Sequence, residues 1–82
     1  MLKVGYKSSV ELDLRSIDKN QAIKIIDKIE KHLPAVAEQC KPLKGKFKGL
    51  KRYRFGSYRV VFAIIDEKII VTKIAHRKDV YK

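Results

Sequence analysis

An α+β fold, with helices packed on one face of a sheet, is predicted by three features of this 82-residue chain. Residues 10–33 carry apolar side chains at helical spacing, whereas residues 50–76 alternate apolar with basic ones, the period of a strand. Two short breaks, Gly56-Ser57 and Asp66-Glu67, divide the second stretch into three strands. The charge follows the same division. Residues 41–82 hold nine Lys and four Arg against Asp66, Glu67 and Asp79, which is +10 of the net +11. Alternation sends one set of side chains into a core and fans the other out on one face, so a basic sheet face is expected.

The elements follow in order. Residues 1–6 alternate Leu2, Val4 and Tyr6 with Met1, Lys3 and Gly5 and read as a strand. Ser8 and Glu11 have the spacing of a capping box, opening a short helix through Val10, Leu14 and Ile17. Asp18 caps a second helix, with Gln21 three residues on. In it Ala22, Ile26, Ile29 and Leu33 form an apolar stripe that Ile23 and Ile25 widen. Pro34 lacks an N–H and ends or bends this helix near His32 or Leu33, leaving an antiparallel two-helix hairpin. Residues 41–49, with Pro42, Gly45 and Gly49 among four Lys, read as a basic loop. Residues 50–55, 58–65 and 68–76 then form an antiparallel three-strand meander. Residues 58–65 are apolar on both faces beyond Arg59 and are the expected central strand. One domain over residues 1–82 is expected.

Composition excludes several classes. The longest apolar run, residues 60–65, falls far short of the roughly 20 residues that span a bilayer. The N-terminus lacks the layout of a signal peptide, and the single Cys40 reads as a free thiol in a reducing compartment. A cytoplasmic protein without a membrane partner is the expectation. Cys40, His32 and His76 cannot build a metal cluster, and Lys44-Gly45-Lys46 lacks the spacing of a phosphate-cradling loop. No cofactor is expected.

What remains is Arg, Lys and Tyr, a set suited to phosphate. Arg offers a fork of donors matched to two phosphate oxygens and stays charged at any accessible pH. Several Arg on one face would stabilise the added charge of a pentavalent phosphorane, and RNA supplies its own nucleophile, the 2′-OH. An aromatic such as Tyr81 would stack on a base. Tyr53, Phe55, Tyr58 and Phe62 read as packing groups and His76 as a structural hydrogen-bonding residue. These residues alone specify a basic nucleic-acid-binding face.

Three segments then resemble the RelE/ParE toxin superfamily: Leu43-Lys44-Gly45, the hairpin pattern R-x-R-x-G-x-Y-R from Arg52 to Arg59, and H-R-x-x-V-Y from His76 to Tyr81. The resemblance covers essentially the whole chain. It implies a RelE-like fold and the toxin of a type II toxin–antitoxin pair. It further implies a metal-independent, ribosome-dependent endoribonuclease (an mRNA interferase) that cuts mRNA in the A site of the 30S subunit, beside 16S rRNA, and so inhibits translation. The matching catalytic positions are Arg52, Arg54, Arg59, Arg77 and Tyr81. Arg54 and Arg59 would hold the scissile phosphate, Arg77 would assist the leaving oxygen, and Tyr81 would stack on the neighbouring base. Lys44, Lys46, Lys48, Lys51 and Lys78 are expected to bind nucleic acid, although alternation points Lys51 to the other face. The implied partner is an antitoxin, partly disordered until bound and helical where it docks. One departure stands out: Arg52 occupies the place where the RelE pattern has a lysine acting as general base. A ParE-like inhibitor of DNA gyrase and a non-catalytic basic nucleic-acid-binding module are the alternatives.

Overall fold

The computed structural model describes residues 2–43 and 49–76. The chain leaves β1 (Lys3–Tyr6) and enters α1 (Ser9–Arg15) almost at once. The Lys7 carbonyl accepts from Val10 N at 2.9 Å, so the first helical turn closes on backbone. Ser8 therefore already has helical angles (φ −57, ψ −32), and its side chain makes no capping bond. The capping box expected from Ser8 and Glu11 does not form; Glu11 instead meets Arg15 one turn on, at 3.0 Å. The second cap forms as expected. Asp18 is non-helical (ψ 133), and its Oδ2 accepts from Asn20 N at 3.1 Å and Gln21 N at 3.4 Å, opening α2 (Lys19–Lys31).

The buried line of α2 runs through Ile25 and Ile29 and on to Leu33. Ile23, expected to widen the stripe, is 58% exposed, because it lies about 200° around the helix from Ile25. Pro34 does not simply end the helical stretch. The chain breaks at His32 and restarts as α3 (Leu33–Val36), with Pro34 in its first turn, where a missing N–H costs nothing. A single 3₁₀ turn, Ala37–Gln39, completes this third helical piece.

β2 (Lys51–Phe55), β3 (Tyr58–Ile65) and β4 (Lys68–His76) form the expected antiparallel meander. β1 joins beside β4, in parallel, so the sheet order is β1-β4-β3-β2, with β4 and β3 interior. Against the helices lie Val60, Phe62, Ile69, Val71 and Ile74, all fully buried with Val10, Ile25, Ile29 and Leu33. The spacing of β4 breaks once. Val61 pairs with Lys73 and Phe62 with Val71, so Thr72 is an extra residue, a bulge. Its Oγ1 donates to Val61 O at 3.2 Å. The amide of Ile74 beyond it is taken by Asp13 Oδ2 of α1 at 3.0 Å. By absorbing Thr72, the strand keeps Ile74 in the core and leaves Lys73 on the opposite face.

The two hairpin turns solve the same geometry differently. Gly56 takes φ +59, which glycine adopts freely. Asp66 (φ 48) and Glu67 (φ 65) adopt the left-handed region with side chains attached, a strained choice.

Candidate functional site

None of the four strands contains an acidic residue, whereas they carry Lys3, Lys51, Arg52, Arg54, Arg59, Lys68 and Lys73. Pairing decides where each points. Tyr53 lies opposite Val60, and both are buried towards the helices. The residues flanking them therefore face the other way. Arg52 stands opposite Val61 and Arg54 opposite Arg59, so three Arg share the helix-free face. Like charges set opposite one another across a strand pair are unfavourable, and an anion between them reverses the sign.

Segment 41–43 deepens this face. Pro42 bridges to Lys51, Leu43 N donates to Leu50 O at 2.9 Å, and Arg52 N donates to Lys41 O at 3.1 Å. Leu43 thereby packs on Val61, flanked by Leu50 and Ala75, a small apolar cluster separate from the main core. The result is a pocket of about 270 Å³ lined by Lys41, Arg52, Tyr53, Arg54 and Arg59. Arg52 and Arg59 are half-buried and Arg54 is exposed. The Arg59 Nε is buried and has no hydrogen-bond partner among the described residues. A buried donor left unpaired costs about 1–3 kcal/mol, a cost that an anionic acceptor would remove.

Beneath the arginines the strand is anchored from the helix side. Tyr53 sits between Arg52 and Arg54 in sequence, and its hydroxyl lies 2.7 Å from His32 Nδ1 at the end of α2. Burial pushes the Tyr53 hydroxyl pKa up, with Cys40 adding to the shift. Lys51 also faces the helices, as alternation predicts, and its Nζ donates to Glu38 O at 2.9 Å. Burial pushes the Cys40 thiol up, against an opposing pull from Lys51, and the thiol donates to Val36 O at 3.4 Å. Phe55 and Tyr58 pack at the core margin, and His76 meets Tyr58 edge to face at 5.7 Å.

Of the residues singled out from sequence, Arg52, Arg54 and Arg59 come together and Lys51 lies apart. Lys44, Lys46, Lys48, Arg77, Lys78 and Tyr81 lie outside the described residues. Sequence reasoning missed Lys41, which reaches the pocket only because its segment runs back along β2, and Lys73. The signal for Lys73 was present: apolar Ile69, Val71 and Ile74 are spaced two and then three apart, the mark of a bulge. Among the described residues no group of His, Cys, Asp and Glu is placed to hold a metal, and no helix is long and apolar enough to cross a membrane.

Comparison with known proteins converges on one superfamily. The family described as the ParE toxin of the type II toxin–antitoxin system parDE matches residues 4–81. No curated protein matches. Among solved structures, the toxin–antitoxin complex RelBE2 from Mycobacterium tuberculosis contains a chain similar in fold, with a TM-score of 0.83 at 20% identity, covering 93% of this chain and 98% of that one. The E. coli RelBE complex gives 0.70 at 17% identity, covering 93% and 96%. The chromosomal ParDE system of P. aeruginosa gives 0.67 at 18%, with the same coverage. With a family match over almost its full length and the α+β architecture of these neighbours, the chain belongs to the ParE toxin family, within the RelE/ParE superfamily of type II toxin–antitoxin toxins.

Proposed function

We propose that this toxin is a ribosome-dependent endoribonuclease that cleaves mRNA in the A site. The observation that carries the reading is the acid-free face on which Lys41, Arg52, Arg54 and Arg59 converge, with the Arg59 Nε buried and unpaired among the described residues. Such a face fits a phosphodiester. Arg54 and Arg59 would grip the non-bridging oxygens from adjacent strands, and Arg52 would add fixed charge beside the nucleophile. The RNA 2′-OH attacks the adjacent phosphorus and the P–O5′ bond breaks, leaving a 2′,3′-cyclic phosphate and a 5′ oxygen that takes its proton from water to become a free 5′-OH. Arg52 stays protonated, so the 2′-OH proton passes to water rather than to this side chain. Rate then rests on positioning and phosphorane stabilisation, and the ribosome supplies the positioning. Arg77 and Tyr81, which lie outside the described residues, would complete the set by assisting the leaving oxygen and stacking on the neighbouring base.

The partner would be an antitoxin that is partly disordered until bound. Leu12 (65% exposed) and Ile23 stand out on the helical hairpin. A groove lined by Tyr6, Val10, Leu14 and Ile26 runs between β1 and the helices and suits an amphipathic helix. The RelBE2, RelBE and ParDE neighbours come from toxin–antitoxin systems, which supports this partner.

The family match itself favours a second reading, a ParE-like inhibitor of DNA gyrase. Induced expression followed by primer extension on cellular mRNA separates the two. Codon-phased cuts only where ribosomes are engaged support the first reading. A DNA-damage response without mRNA cuts supports the second. Growth without toxicity contradicts both and leaves a nucleic-acid-binding module.

A further inference from the structure

We infer that Lys73 holds the phosphate next to the one gripped by Arg54 and Arg59, so that a single RNA strand crosses the open face from β2 towards β4. This deepens the RNA-cleaving reading and rests on it. Ala75 stands opposite Arg59 on β4, and Lys73 stands opposite Val61. Arg59 and Lys73 are therefore diagonal neighbours on one face, about 7–8 Å apart at Cα, within joint reach of long side chains. That separation is comparable with the spacing of successive phosphates along an unstacked strand.

The placement of Lys73 is built rather than incidental. Simple alternation from Ile69 and Val71 would turn it into the core. The Thr72 bulge turns it out, and two bonds hold the bulge: Thr72 Oγ1 to Val61 O, and Ile74 N to Asp13 Oδ2. Lys73 forms no ion pair with a described acid. Between it and Arg52 lies the Val61–Leu43–Leu50–Ala75 cluster, an apolar step flanked by cations on both sides. Charged stations separated by apolar surface suit a chain that alternates phosphate with sugar and base. The recognition chemistry also divides sensibly. The Arg pair offers directional donors to the reacting phosphate, and a lysine serves the neighbour as a point charge.

The test is fluorescence anisotropy with a short 2′-O-methylated single-stranded RNA, which cannot be cleaved, over a range of salt concentrations. Lys73→Met should weaken binding about tenfold near 0.1 M salt and lower the salt slope by about 0.7. Lys73→Arg should retain most of the affinity, which also checks that the position tolerates substitution. Lys68→Met removes the same charge at the far end of the same strand and should change binding less than about twofold. Equal losses at Lys73 and Lys68, or none at Lys73, would overturn the inference while leaving the arginine site intact. No binding by the parent would overturn this inference, and binding with no loss in Arg59→Met would overturn the phosphate-gripping role of the arginine face and this inference with it.

Discussion

On the helix-covered face of the sheet Val60, Phe62, Ile69, Val71 and Ile74 are exposed by 1% or less, while the other face of the same sheet presents Arg52, Arg54, Arg59 and Lys73. The two faces share a backbone, so a strand pairing that seats the apolar set also aims the basic set. Stability and function are thereby separated by side rather than by segment. Helix-face substitutions should damage folding, and substitutions of the basic residues on the open face, outside its small Val61–Leu43 cluster, should damage only what the protein does.

The largest expected effect is on the helix face. Phe62→Ala on the interior strand β3 should lose about 3–5 kcal/mol in urea unfolding, much of the stability of a domain this small. A loss below about 1 kcal/mol would mean that the covered face is not the core.

At the bulge the residue to change is Asp13. Asp13→Ala orphans the Ile74 amide and should cost about 1–3 kcal/mol, whereas Asp13→Asn keeps an acceptor and should cost less. Equal melting temperatures for all three proteins would mean that the bulge is held by the sheet alone. If Asp13 does fix the bulge, its loss should also weaken RNA binding through Lys73.

The sheet was legible from sequence because residues 50–76 alternate and their turns fall at Gly56-Ser57 and Asp66-Glu67. Two strands match their predicted bounds. The arginine face was legible for the same reason, since alternation alone places Arg52, Arg54 and Arg59 together. Three features were not. The parallel pairing of β1 with β4 depends on contacts across more than sixty residues, which no local pattern encodes. The Ser8–Glu11 box has the right spacing, but the turn from β1 had already closed the helix start on backbone. Lys41 reaches the pocket through a return along β2 that Pro42 and Leu43 give no sign of.

Smaller effects lie at the edges of the sheet. Asp66→Asn with Glu67→Gly should gain about 1 kcal/mol, because both positions sit in the left-handed region. A loss on thermal unfolding would mean that the native side chains make contacts that outweigh the strain. The smallest effect is a pH dependence. Burial, reinforced by the charge of Glu30 and a hydrogen bond to it, raises the Tyr6 hydroxyl from 10.0 to about 12. The folded state therefore keeps this proton after the unfolded state has released it. Stability is complete below pH 10.0 and should fall as pH rises towards about 12. Tyr6→Phe should flatten that part of the profile; an unchanged slope would rule out Tyr6 as its source.

Arg59→Met combined with Arg54→Ala separates an open face that acts from a covered face that holds the fold. Urea midpoints and ribosome-dependent mRNA cleavage should be measured on the same preparation. Unfolding is expected within about 1 kcal/mol of the parent, since a buried unpaired donor is removed, with cleavage reduced by about 10²–10³-fold or more. Undiminished cleavage by a fully folded double variant would contradict that separation.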